Sequence, residues 1–523
     1  MKCAYCGKKN RPGAVVCKRC GIGLPVEPPE KSGGITRSVD PASSDAPEEA
    51  PAGQAAVSSG KKKSLWKPVV GVIAVLAAIA FIAAVILGIA NSSGVILPAR
   101  RSYTVHSDGV FYAGESVSPD EAGIFSAITN LDGTRCGILC SNGYLYFCSG
   151  GEQRLIAKEV NCFTVSANGK HLVYMDEGRL LWSCDTTKSD NAPVCVCSDP
   201  VESGFVVSPD GKTVLLNKQN DQKLYMVYNG KLTELGEGLV PISASNAGKN
   251  IYCYSPAENS IYYTSRRGKP AYLRSNIVRD VYMNSEHNEL VFSADAGQGI
   301  IITMISVAGK EPVEIRNSGD AVFPVLPVSC IEKKDVFSTH TVFTCPVKSF
   351  DGKLFAGSGI VKYSAKEGST VIDPTDCEQA LATDDYGTVY FLSGGALSRM
   401  TVKEGGTPDR IVDGCRGFTI STNGTYVWYL DGDGALHCRK GTRDNVIASS
   451  AEGFAVSPNG RSAAFIKGGK VYVNKKGTPS HTYVFEGVYA NDVAADAKSL
   501  FAKTNSDGWT KLSEGSKRAS AID

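Results

Sequence analysis

The sequence predicts a mostly-β chain made of repeated antiparallel sheets, and three observations carry that reading. From Arg101 onward, short apolar runs alternate with Gly, Asn and Asp. One pattern recurs there: an apolar strand, Ser or Thr, any residue, Asn/Asp-Gly, a polar residue, and a second apolar strand. Its clearest copies are FTVSANGK from Phe163, FVVSPDGK from Phe205, FTISTNGT from Phe418 and FAVSPNGR from Phe454. Weaker copies centre on Thr129, Ser245, Asn284, Ser349, Thr383 and Ala494, so the ten anchors are 34 to 42 residues apart except for one interval of 65.

Each copy offers four strand candidates in roughly 40 residues, the size of one propeller blade. Asn-Gly and Asp-Gly are expected to supply the positive-φ turn between the first two strands. A ring of such sheets hides its faces between neighbours and leaves only short edges. The expected fold is therefore a β-propeller of about 8–10 four-stranded blades over 102–513. The long interval places an insertion near 305–345, which contains Phe323-Pro-Val-Leu-Pro-Val, a stretch unfit for a central strand. The insertion is expected to project from the ring towards a partner. The run Tyr103–Tyr112 is available to complete the last, three-stranded copy. Residues 514–523 read as a flexible tail.

Three segments precede the repeats. Cys3-x-x-Cys6-Gly7 and Cys17-x-x-Cys20-Gly21 form two matching knuckles, with ten residues between Cys6 and Cys17. Four thiolates at this spacing converge tetrahedrally on one structural zinc, with no open position for catalysis. A module of residues 1–24 has no core of its own, so metal binding must fold it. Residues 25–67 are rich in Pro, Ser, Ala, Gly and Glu, and read as a disordered linker. Residues 68–90 carry no charge, and 22 apolar residues from Val69 to Ala90 suffice for one transmembrane helix. Lys61, Lys62, Lys63 and Lys67 precede this helix, and only Arg100 and Arg101 follow it closely, beyond a short linker of residues 91–101. That bias keeps the amino terminus cytoplasmic and places the repeats outside the cytoplasm.

The amino-terminal segment resembles the small zinc ribbons that precede a single membrane helix in many bacterial proteins. SPDGK at Ser208–Lys212, followed by an apolar strand, resembles the repeat of TolB-like and WD40-like bacterial propellers, and Ser457–Arg461 nearly matches it. The Trp-Asp dipeptide of true WD40 repeats is absent. These resemblances imply a propeller tethered to the membrane and a ribbon with a structural or protein-contact role.

Charge and motifs bound the function. Lys+Arg number 55 and Asp+Glu 53, and the repeat region is close to neutral, so it carries no electrostatic footprint for nucleic acid. No nucleophile elbow, zincin or Walker sequence occurs. The six histidines are scattered singly and read as surface or turn residues. Asp384-Asp385 and Asp431-Gly-Asp433-Gly read as turns, with a hard cation as the alternative. Arg266-Arg267 reads as an exposed turn, with an anion contact as the alternative. Thirteen cysteines follow the membrane segment, an odd number that leaves both buried thiols and one or more disulfides open. The expected function is that of a non-enzymatic, single-pass membrane protein. Its extracytoplasmic propeller binds a protein or glycan. A membrane-tethered enzymatic propeller, such as a glycan lyase, hydrolase or dehydrogenase, is the alternative.

Overall fold

The computed structural model describes residues 94–512, apart from 107–108, 120–122, 189–191, 203, 338–339, 403–406, 480, 487–492, 497 and 505–507. The predicted zinc ribbon, linker, membrane helix and tail lie outside these residues. Among the described residues, no helix is long and apolar enough to cross a membrane.

Strands dominate the described chain and fall into eleven sheets, nine of which are four-stranded or larger, within the 8–10 blades expected. In order they cover 103–116, 124–157, 160–197, 206–237, 240–275, 277–318, 322–373, 379–412, 417–448, 453–486 and 493–512. The first and last have three strands. Each of the nine between contains four antiparallel strands in succession, interrupted in the seventh by an insertion after its first strand, the arrangement that defines propeller blades. The second strand of each four-stranded sheet is mostly buried, and fully so in Thr213–Asn217 and Ile251–Ser255. The fourth is largely exposed, as in Gly368–Asp373. Apolar clusters form between consecutive sheets. Leu139, Leu145 and Phe147 of the second sheet meet Phe163, Val165 and Tyr174 of the third. Such sheets have two buried faces near their inner strands, which explains the near-continuous apolar runs there.

The repeat's polar residues act through side chains. In the fourth sheet, Thr213 N–H donates to Ser208 Oγ at 3.0 Å, and Ser208 Oγ donates to Asp210 Oδ1 at 2.7 Å. Lys212 N–H donates to Asp210 Oδ1 at 3.2 Å, and Gly211 N–H donates to Ser208 O at 2.8 Å. The same bonds recur at Ser166-Asn168, Ser421-Asn423 and Ser457-Asn459. Only the glycine takes positive φ, 77° at Gly211. The expected positive-φ turn is present, with the glycine supplying the left-handed residue and the Asn or Asp side chain capping the turn. In the second sheet the serine's place is taken by Asn130 rather than Thr129, with Asp132 as the capping carboxylate, and in the last sheet the turn is capped by Asp496 rather than Ala494.

Successive turns bond to one another: Leu131 N–H to Ala167 O, Asn168 N–H to Pro209 O, Asp384 N–H to Thr422 O and Thr422 N–H to Pro458 O. The first sheet does not add a strand to the last, contrary to the expectation for Tyr103–Tyr112. It stands as its own sheet and packs against the last. Phe111 stacks on Phe501 with ring centroids 4.1 Å apart, and Gly114 N–H donates to Asp496 Oδ2 at 2.6 Å. The first and last sheets thereby meet.

The insertion enters between the first two strands of the seventh sheet. Strands through Val307 and Ser318, within the expected insertion, are ordinary members of the sixth sheet, and Val322–Pro324 is the inner strand of the seventh. The extra segment is 325–348. Its hairpin, Lys333–Phe337 and His340–Thr344, extends the sixth sheet on its inner side, where Val342 pairs in parallel with Val281 of the inner strand. The segment therefore lies within the ring instead of projecting from it. Cys345 and Val347 are fully buried with Val95, Phe350 and Leu354 in the largest apolar cluster.

Candidate functional site

Two chain segments cross between the inner strands. Residues 94–103 run from Pro346, whose carbonyl accepts from Ile96 N–H, to Gly133, whose carbonyl accepts from Tyr103 N–H. Residues 327–332 lie beside them: Val328 N–H donates to Ala382 O, and Ile331 reaches Gly133 on the second sheet. The hairpin takes up the space next to the fifth and sixth sheets. Next to the first, second and eighth to eleventh sheets a recess of about 1100 Å³ remains.

This recess is the candidate site. Its walls are inner strands, represented by Ile128, Ile420 and Val456, and its floor carries Ser329, Cys330, Glu332 and Lys334. Asp384 accepts a hydrogen bond from Ser329 Oγ at 2.6 Å. Burial raises the Asp384 pKa, and its bonds from Ser329 oppose that only in part. Glu332 is open to the recess yet enclosed by protein on most sides, and desolvation raises its pKa. Burial also pushes the Cys330 thiol up, so it is protonated at neutral pH. The arrangement presents hydrogen-bonding groups and apolar strand edges to a ligand.

The residues singled out from sequence are dispersed. Cys3, Cys6, Cys17 and Cys20 lie outside the described residues. Among the described residues, no group of three His, Cys, Asp or Glu side chains is placed to hold a metal. Asp385 caps its own turn by accepting from Thr383 Oγ1 and Gly387 N–H, while Asp384 turns to the floor. Asp431 accepts from Asp433 and Ala435 N–H and meets His437 Nε2 at 3.0 Å. Arg266 lies over the Tyr228 ring at 5.0 Å. Two histidines are not surface residues: His287 is buried, and His437 stacks on Tyr429 between Asp431 and Asp444. No disulfide joins the thirteen described cysteines, and Cys195 alone is exposed. Glu332 and Ser329 were missed in the sequence because they sit in a segment without a repeat pattern.

No protein-family model matches the chain, and no curated protein matches it. Solved structures give remote likenesses. A eukaryotic initiation factor is 10% identical with a TM-score of 0.41, covering 74% of this chain and 97% of that one. A putative TolB from Agrobacterium tumefaciens is 16% identical with a TM-score of 0.28, covering 39% and 84%. Hsv2 from Kluyvelomyces marxianus is 9% identical with a TM-score of 0.29, covering 61% and 92%. The propeller architecture rests on this chain's own sheet order.

Proposed function

We propose that the chain is a non-enzymatic binding protein held at a bacterial membrane by a single helix, residues 68–90. The propeller stands outside the cytoplasm and takes a protein or glycan in the recess. A zinc ribbon at Cys3, Cys6, Cys17 and Cys20 stands inside. The observation that carries the binding role is the recess itself. Two segments that the repeat does not require, 94–103 and 327–332, build its floor, and six sheets contribute its wall. Concave sites of this size with a few convergent polar groups are the usual places of ligand capture. The membrane and zinc parts rest on the uncharged run, the Lys bias and the cysteine spacing.

A photo-crosslinking residue at Lys334, in the full chain in its membrane, tests the binding role. A discrete adduct there, and none from the same residue at the outer-edge Lys366, is the expected result. Equal labelling at both positions would overturn it. Protease on intact protoplasts should remove residues beyond 102 and spare the first 67. Metal analysis of the full chain should give one zinc, lost in a Cys3→Ser, Cys17→Ser variant.

An enzymatic propeller is the second reading, favoured by the two carboxylates with raised pKa values in one recess, Glu332 and Asp384. Turnover of envelope glycans that vanishes in Glu332→Gln would replace the first reading with this one.

A further inference from the structure

A second concavity lies between the ninth and tenth sheets, away from the recess. It has a volume of about 270 Å³ and is lined by Lys440, Arg443 and Asn445 of the ninth sheet and by Arg461, Lys476 and Thr478 of the tenth. Four cationic side chains face one groove, and no carboxylate lines it. The alternation of strand side chains explains why. Asp444, next in sequence to Arg443, points to the opposite face, where it bonds Tyr429 Oη and faces His437 Nδ1 at 3.5 Å.

The repeat does not call for this charge. At the place of Lys440, opposite the first residue of the second strand, two other sheets carry Lys362 and Lys475, and the rest carry Ser149, Asp185, Tyr228, Thr264, Val307 and Thr401, so the position is free to vary. Nor does packing call for it, because like charges gathered in one groove repel. The groove is nevertheless fixed in shape. Lys476 has φ of 62°, a conformation a lysine rarely adopts, and its N–H donates to Arg461 O. Asn445 Nδ2 donates to Gly477 O at 2.6 Å, and Arg443 Nε donates to Asn445 Oδ1 at 3.2 Å. Lys440 lies over the Tyr426 ring at 5.3 Å. Gly477 is required for the floor, since a Cβ there would come within 2.3 Å of Cys438 Sγ. The same turn takes positive φ in other sheets, at Gly150, Asn229 and Ala308, so what sets this groove apart is the charge gathered on a turn of fixed shape.

We propose that this groove binds an oxyanion, a phosphate or sulfate group either free or carried as an ester on an anionic polymer. Two guanidinium forks and two ammonium groups supply directional donors and charge for tetrahedral oxygens. The site does not depend on what the recess binds.

Titration calorimetry of the full chain in detergent tests it, with inorganic phosphate, inorganic sulfate, poly(glycerol phosphate) and dextran sulfate as probes at low salt. At least one probe should bind at millimolar concentration or below, and weaken as salt is raised. Arg443→Gln with Arg461→Gln should weaken that binding tenfold or more, while Lys231→Gln with Lys366→Gln, on other sheets, leaves it within twofold. Lys476→Gly provides a variant that relieves the positive φ, so it should melt no lower than the parent yet bind at least threefold more weakly. Tighter binding per charge by a polymer would assign the ester source. Equal binding by the free ion would assign the free anion. Absence of binding by all four probes, or equal binding by parent and both groove variants, overturns the proposal.

Discussion

The backbone N–H of Gly114 donates to the carboxylate of Asp496 at 2.6 Å, joining residues 382 positions apart. Asp496 is 2% exposed, and its other oxygen accepts from Lys498 and Ser499 N–H at 2.7 Å each. One side chain therefore shapes the turn of the last sheet and ties it to the first. Asp496→Ala should cost about 2–3 kcal/mol, the scale for buried donors left facing a missing charged acceptor. Phe501→Ala, which removes the stacking on Phe111, should cost roughly 3–5 kcal/mol. Chemical denaturation with a tryptophan signal reads both. A loss below 0.5 kcal/mol for either, on that same scale of ~1 kcal/mol per contact, would mean that the ends of the ring do not hold each other.

Glycines of equal φ should differ in tolerance. Gly211 has φ of 77°, and a Cβ there would lie 2.4 Å from His171 Cβ. Gly368 has φ of 81° with open space around it. Gly368→Ala carries only left-handed strain, about 1 kcal/mol, whereas Gly211→Ala adds a clash with a neighbouring sheet and should cost roughly twice that or more. Thermal melts of the two variants check the order, and the reverse order would show that the turns of adjacent sheets are not in contact.

His287 gives the fold an acid liability with a defined window. It occupies the repeat's glycine position with φ of 55°, and burial lowers its pKa from 6.5 to about 3, with Lys333 adding to the effect. Between those values the unfolded chain takes up a proton that the folded chain refuses. Stability is therefore full above 6.5 and falls as pH drops towards 3. His287→Asn, a residue suited to left-handed backbone, should remove this part of the pH dependence. Melting temperatures compared at pH 7 and 4.5 test it: the difference between the two pH values should be smaller in the variant.

The thiols should react in order of access. Cys195 is exposed, Cys162 and Cys330 are half-buried, and burial raises the pKa of Cys136, Cys253 and Cys345. Pulsed alkylation of the native chain followed by peptide mapping should label Cys195 first. Cys136, Cys253 and Cys345 should stay unlabelled until denaturant is added. Early modification of Cys345 would show that segment 325–348 leaves the interior.

Much of this was legible in the residues alone. The Ser-x-Asn/Asp-Gly turn is a local device: its hydroxyl, carboxylate or carboxamide, and left-handed glycine all act within six residues, so four-stranded units could be read off one after another. Cysteine spacing and an apolar run of 22 residues are local signals too, and they define the zinc and membrane proposals without reference to the propeller. Other features arise only between units. A register shift falls between the third and fourth strands of all nine complete blades, as at Leu436/His437 and Leu224/Tyr225, because sheet twist must be taken up as the ring closes. The place of segment 325–348 follows from a parallel pairing with Val281–Met283, some 60 residues away, for which no turn or period gives a sign. The groove of Lys440, Arg443, Arg461 and Lys476 likewise draws on three separate turns of two sheets. In a chain of near-zero net charge such a cluster is invisible until packing brings the turns together, because electrostatic potential depends on distance in space and not on distance along the sequence.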